Sequence, residues 1–156
     1  MGLPTALGGA TLGRADLRDT GKVGELLIAI DLLKAGFEVY QPLVDKGTDL
    51  LAVEWTAGRA RYYEIQVKRF RAYNLVTGVY PRQAPPNYFF AVIYYQDDGR
   101  EERYFLTREE AIPLARKSGD LRFNKRERAR FANRALPALL RGTRSTSTTR
   151  RPKLNP

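Results

Sequence analysis

The stretch "YYEIQVKRF", residues 62–70, decides how the rest of the chain is read. Tyr62, Tyr63, Ile65, Val67 and Phe70 suit a pleated, half-buried surface. Side chains alternate across a strand, so Tyr63, Ile65 and Val67 share one face, and Glu64, Gln66 and Lys68 share the other. The apolar face needs a covering layer. The face with an acid, an amide and a lysine is either solvated or a site.

The neighbours of this stretch predict its surroundings. "DLLAVEW" (residues 49–55) reads as a strand joined to it by the tight "TAGR" turn, so the two pair antiparallel. Before them, "FEVYQPL" (residues 37–43) is a short strand ended by Pro42, and "DKGTD" is a turn. Further upstream, Val23, Leu26, Leu27, Ile30 and Leu33 recur at helical spacing. They predict a largely buried helix over residues 21–35, capped by Thr20 and stopped at Gly36. Downstream, residues 71–87 contain Gly78, Pro81, Pro85 and Pro86 and read mostly as loop. "NYFFAVIYY" (residues 87–95) is nearly all apolar, as a central strand covered on both faces would be, and "RYFLT" pairs back onto it. "TREE" (residues 107–110) is a capping box that opens a helix. Asn124 caps a basic helix, with Pro137 marking its kink or end. The order predicts an α/β (α+β) fold, a mixed β-sheet with flanking helices.

Composition narrows the chemistry. The chain has 156 residues, 43% of them hydrophobic, which suits one domain with a real core. No apolar run is long enough to span a bilayer, so no membrane partner is expected. No signal peptide is expected either, and the compartment is read as cytoplasmic, nucleoid-associated. With no Cys and no His, thiolate and imidazole metal sites are excluded, as are Ser–His and Cys–His nucleophiles. Catalysis would have to run on carboxylates, Lys, Arg, Tyr, Ser or Thr, and carboxylates favour hard metals such as magnesium.

The net charge of +10 is unevenly placed. Residues 1–99 hold 11 Lys+Arg against 11 Asp+Glu, and residues 100–156 hold 16 against 6, which accounts for the whole excess. A neutral front and a basic back suggest a core with a polyanion-binding extension, against the plainer reading of a solubilising tail.

Four polar residues stand out on otherwise apolar elements: Glu25 on the first helix, Asp49 opening the second strand, and Gln66 and Lys68 two apart on the third. The hairpin can bring Asp49 to the end of the third strand, and the helix can bring Glu25 over it. Magnesium takes oxygen ligands and keeps several waters. Asp49, Gln66 and Glu25 can supply such oxygens, as can the backbone carbonyl of Val67. A bound metal acidifies water and neutralises phosphate charge, while Lys68 stabilises developing negative charge. That chemistry is phosphodiester hydrolysis. Each residue also has a plainer reading. Glu25 can serve the helix dipole, Asp49 the turn, and Gln66 with Lys68 a solvated sheet face. Glu64 is a rival ligand, expected instead to pair with a nearby Arg or Lys.

The series "GELLIAIDLLKAGFEVYQPL…GTDLLAVE…YYEIQVKRF…YFFAVIYY" resembles the PD-(D/E)XK nuclease superfamily over residues 20–110. Within it the chain is most similar to the homing endonucleases encoded in group I introns, which use Gln-x-Lys where most members have Glu-x-Lys. Archaeal Holliday junction resolvases are near relatives. The resemblance implies a restriction-endonuclease-like core and a metal-dependent DNA endonuclease. Glu25 would be the helix acid, Asp49 the central metal ligand, Gln66 the variant ligand and Lys68 the catalytic lysine. The cofactor would be magnesium, one ion or two, with manganese as a substitute. Two departures matter: "GTD" stands where Pro-Asp is common, and a Pro/Gly loop follows the third strand where many members have a helix.

These readings divide the chain into a flexible segment 1–19, a nuclease-like domain 20–141 with a basic C-terminal helix, and a basic disordered tail 142–156. DNA, duplex or branched, is the expected partner. Lys22 and Arg69 flank the proposed site and could hold phosphate. Arg82 and Gln83, with Tyr73 and Asn74, lie on a loop that could read base edges. Arg126, Arg130 and Arg134 would contact the backbone from the basic helix. One site cuts one strand, so a homodimer or homotetramer is expected. The alternative function is a catalytically inactive nucleic-acid-binding module that keeps the nuclease fold.

Overall fold

The computed structural model describes residues 14–44, 46–70, 74–76, 78–96, 99–143 and 148–150. A sheet runs in the order β1 (Glu38–Tyr40), β2 (Leu50–Thr56), β3 (Arg59–Phe70), β5 (Tyr88–Tyr95) and β6 (Glu101–Thr107). β3 and β5 are parallel and the other neighbours are antiparallel, so the sheet is mixed, as the sequence predicted. Leu50 pairs with Ile65 and Gln66 with Phe90, which places the middle of β3 between β2 and the central strand.

Each face of the sheet has its own core. Tyr63, Ile65 and Val67 join Phe89, Ala91 and Ile93 beneath helix α1 (Arg14–Lys34) and helix α4 (Leu136–Gly142). The opposite side chains of β5, Tyr88, Phe90, Val92 and Tyr94, pack with Tyr104, Phe123 and Phe131. Those partners come from β6, from β7 (Leu121–Phe123) and from α3 (Lys125–Phe131). The apolar run 88–94 is therefore buried from both sides, as its composition required.

Two caps set the local geometry downstream. Thr107 accepts the Glu110 N–H, and Glu110 returns the bond to the Thr107 N–H, so α2 (Arg108–Ala111) begins directly where β6 ends. A 3-10 turn, Ile112–Leu114, follows it. The Asn124 side chain accepts from the N–H groups of Arg126 and Glu127 and starts α3.

Several expectations need correction. α1 begins at Arg14, so Thr20 lies inside the helix rather than at its start. Of the expected flexible segment, residues 1–13 lie outside the described residues, and 14–19 are helical. The helix also presents a different face from the one expected. Ile28 and Leu32 are buried, with Gly24, whereas Val23, Leu26, Ile30 and Leu33 are 42–56% exposed. Gly24 explains the rotation. A Cβ there would come within 2.9 Å of Arg69 Cβ and 3.4 Å of Val67 Cγ1. The helix approaches β3 most closely where it has no side chain, and that contact sets its phase.

Among the described residues between β3 and β5 the segment is mostly loop, as expected, apart from the short strand β4 (Asn74–Val76), which pairs with β7. The basic helix ends at Phe131, and Pro137 sits in the first turn of α4, where its missing N–H costs nothing. Part of the expected disordered tail is a strand: β8 (Thr148–Arg150) pairs antiparallel with the start of β3, on the β5 side. The rest of the tail, 144–147 and 151–156, lies outside the described residues. No helix among the described residues is long and apolar enough to cross a membrane.

Candidate active site

The site is built where β2 begins. The Asp49 N–H donates to the Ile65 carbonyl at 3.0 Å, and Asp49 Oδ2 accepts the Val67 N–H at 2.6 Å. Asp49 thus brackets Gln66 along β3. Its carboxylate takes the N–H that a longer β2 would have paired. Within a strand the N–H and C=O of one residue point to the same side, so the Val67 carbonyl also faces this edge. A carboxylate and a backbone carbonyl are hard oxygen donors side by side, the kind magnesium takes.

Gln66 and Lys68 project from the sheet face away from α1. Gln66 is 7% exposed, the one buried polar side chain among the described residues. Its Nε2 donates to the Gly78 carbonyl at 3.2 Å, which turns Oε1 the other way. That oxygen has no hydrogen-bond partner among the described residues, and it is not sealed from solvent. Gln66 lines a cleft of about 220 Å³ together with Lys46, Gly47, Gly78, Gln83 and Tyr88. Lys68 Nζ passes 3.4 Å from the point where a Cβ on Gly78 would stand. Gly78 has φ +71°, a left-handed conformation that glycine adopts without strain. The Lys68 ammonium has no ion-pair or hydrogen-bond partner among the described residues.

The structure brings Asp49, Gln66 and Lys68 to one end of β3. Glu25 lies on the other face, beside Gly24 and therefore above the Val67–Arg69 part of the strand. Its carboxylate is engaged locally: Glu25 Oε2 accepts from Lys22 Nζ at 2.7 Å and from Gln41 Nε2 at 3.2 Å. Among the described residues no group of three or more Asp or Glu is placed to hold a metal. The oxygen donors the structure offers at this end of β3 are the Asp49 carboxylate, the Val67 carbonyl and Gln66 Oε1, all of the hard type. Glu64, the rival ligand, accepts from the Thr48 hydroxyl at 2.8 Å, so its partner is not the Arg or Lys expected from sequence.

The residues suggested for DNA contact divide into two groups. Lys22 pairs with Glu25. Arg69 pairs with Glu101 at 2.7 Å and stacks over the Tyr95 ring, and Arg134 pairs with Glu110 at 2.8 Å. These three already have anionic partners within the chain. Arg82, Gln83, Arg126 and Arg130 are exposed, and Arg130 lies over the Phe131 ring. Tyr73 and the Asn74 side chain lie outside what is described. Sequence reasoning missed Gly78 and Gln41. Gly78 appeared only as a loop signal, and nothing in the local pattern around Gln41 linked it to Glu25.

No protein-family model and no curated protein matches the chain. Among solved structures it is similar to a bacterial homing endonuclease, I-Ssp6803I. The sequence identity is 20% and the TM-score 0.48, over 70% of this chain and 78% of that one.

Proposed function

We propose that this chain is a magnesium-dependent DNA endonuclease of the PD-(D/E)XK kind, acting on duplex or branched DNA. The observation that carries the reading is one local arrangement. Asp49 is held against the Val67 N–H at 2.6 Å, and the next two outward side chains of β3, Gln66 and Lys68, keep an open amide oxygen and an unpaired ammonium. A chain without His or Cys that builds such a set has the groups phosphodiester hydrolysis needs. Magnesium held by Asp49, the Val67 carbonyl and Gln66 Oε1 would supply charge neutralisation and a more acidic water.

The residues of the chain then divide the work. The Val67 N–H fixes the Asp49 carboxylate, so that group need not reorganise when phosphate arrives. Lys68, on a half-buried strand position, presents a positive charge to the phosphate oxygens as negative charge builds on them. The Gly78 carbonyl holds the Gln66 amide. Glu25 would act from the α1 face through water, after release from Lys22 and Gln41. Hydrolysis forms one P–O bond from water and breaks one P–O ester bond.

Cutting both strands needs two such sites, and we assign the second to another copy of the chain. Val23, Leu26, Ile30 and Leu33 follow one another at intervals of three, four and three residues, which is the spacing of a helix–helix seam. The seam suits a helix as its occupant, and α1 is the chain's one long helix among the described residues, so a second α1 is the natural partner.

A second reading is favoured by one specific observation, the engagement of Glu25 with Lys22 and Gln41 on the opposite face. In that reading the fold binds nucleic acid without cutting it. Incubation of the purified chain with plasmid and with four-way-junction DNA separates the two. Cleavage in magnesium or manganese and none in chelator supports the enzyme. Binding with intact DNA under all conditions supports the inactive module.

A further inference from the structure

We infer that the chain carries an outer nucleotide subsite, between Tyr80 and residues 115–117, that receives the strand next to the reacting phosphate. The inference rests on the reading of the Gln66 cleft as the place of that phosphate. A cavity of about 290 Å³ lies there, lined by Tyr80, Pro81, Arg82, Gln83, Ala115, Arg116 and Lys117. It shares Tyr80 and Gln83 with the Gln66 cleft, so the two adjoin.

Its charge is unbalanced. Arg82, Arg116 and Lys117 are exposed, no carboxylate lines the cavity, and none of the three has an ion-pair partner among the described residues. The larger cavity of about 600 Å³ under α3 behaves differently. It also holds cations, but Glu101 and Glu102 line it, and its Arg103 and Arg134 are already paired with carboxylates. Three uncompensated cations in one concavity attract an anion, and a phosphate is the anion the adjoining cleft implies.

Tyr80 narrows the ligand to a nucleotide. The residue is 50% exposed, yet its ring is seated: ring carbons lie 2.3–2.5 Å from the point where a Cβ on Gly119 would stand. Gly119 has φ +80°, and its carbonyl accepts the Val79 N–H at 2.8 Å, which ties the two loops together. An aromatic ring held against a glycine, with its remaining surface open beside cations, is a stacking platform for a base.

The test uses the full chain without metal, so that no cutting enters, and labelled duplex and single-stranded oligonucleotides across a salt series. The Arg116→Glu/Lys117→Glu variant is expected to flatten the plot of log affinity against log salt by about 0.9 for each lost contact. Tyr80→Leu is expected to keep that slope while weakening single-strand binding by at least about fivefold. Oligonucleotides with 5-iodouracil at each position in turn are expected to photocrosslink to the peptide containing Tyr80. An unchanged slope, wild-type binding by Tyr80→Leu, or no crosslink at Tyr80 from any position would overturn the subsite. A wild type that shows these effects and never cuts DNA would defeat the proposed chemistry and leave the subsite standing. A wild type that cuts DNA without them would do the reverse.

Discussion

Asp49 Oδ2 accepts the Val67 N–H at 2.6 Å, so the carboxylate proposed to hold a metal also finishes the sheet where β2 begins. Structure and chemistry can be separated at this residue. Asp49→Ala leaves the Val67 N–H without its acceptor and should cost about 1–3 kcal/mol in urea unfolding. Asp49→Asn keeps an oxygen acceptor and should cost less, yet lose magnesium-dependent thermal stabilisation, since an ion that binds only the folded state raises its stability. Equal stabilisation of wild type and Asp49→Asn by magnesium would remove Asp49 from the metal site.

Gly24 sets how closely α1 approaches β3. A Cβ there would stand 2.9 Å from Arg69 Cβ, on a backbone-proximal atom that cannot swing away. Gly24→Ala should therefore destabilise by about 1–3 kcal/mol, the usual cost of overpacking, although alanine is the better helix former. Thermal unfolding checks it. A variant as stable as the wild type would mean that α1 has no such close contact.

The outward stripe of α1 should be an interface between copies. Leu26→Glu with Ile30→Glu puts charges in the middle of the seam, and sedimentation equilibrium should then show a monomer where the wild type is a dimer or tetramer. A monomeric wild type would contradict the assignment.

How far the sequence could be read is clearest on these two elements. β3 was legible because a strand has a two-residue period and its residues obey it: Tyr63, Ile65 and Val67 are buried under α1, and Gln66 and Lys68 face the other way. The central strand was legible because all but its last residue are apolar and buried. The Thr107 box was legible because its bonds lie within four residues. α1 was not, because it is apolar on more than one side. The repeat of Val23, Leu26, Ile30 and Leu33 is regular, but the close approach at Gly24 decides which side faces in, and a missing side chain adds nothing to a hydrophobic pattern. At the site, Asp49, Gln66 and Lys68 were brought near one another by a hairpin whose turn was visible. The bond from Gln41 to Glu25, the carbonyl of Gly78 and the strand β8 depend on longer-range packing that no local pattern encodes.

Tyr104 gives the fold a dependence on alkaline pH. Burial, and then the hydrogen bond that its hydroxyl donates to Glu102, raise its phenol above the ordinary value of 10.0. The unfolded chain releases that proton near pH 10 while the folded chain keeps it, so this contribution is complete below pH 10 and is lost as pH rises beyond it. Stability followed by denaturant titration should fall above about pH 10, and Tyr104→Phe should make the fall shallower. An identical alkaline profile for both proteins would show that the phenol is not shielded.

The measurement that tests the central claim most directly is DNA cleavage by the wild type and by Lys68→Ala in magnesium, with binding followed on the same DNA in chelator. Lys68 is the one proposed site residue with neither a metal-ligand role nor a structural partner among the described residues, so its removal should leave fold and binding intact. The account predicts that the wild type cuts and that Lys68→Ala binds equally well but cuts about 10²–10³-fold more slowly, the usual cost of losing one transition-state charge stabiliser. Cutting by Lys68→Ala at the wild-type rate, or a wild type that binds DNA in magnesium and leaves every strand intact, would contradict it.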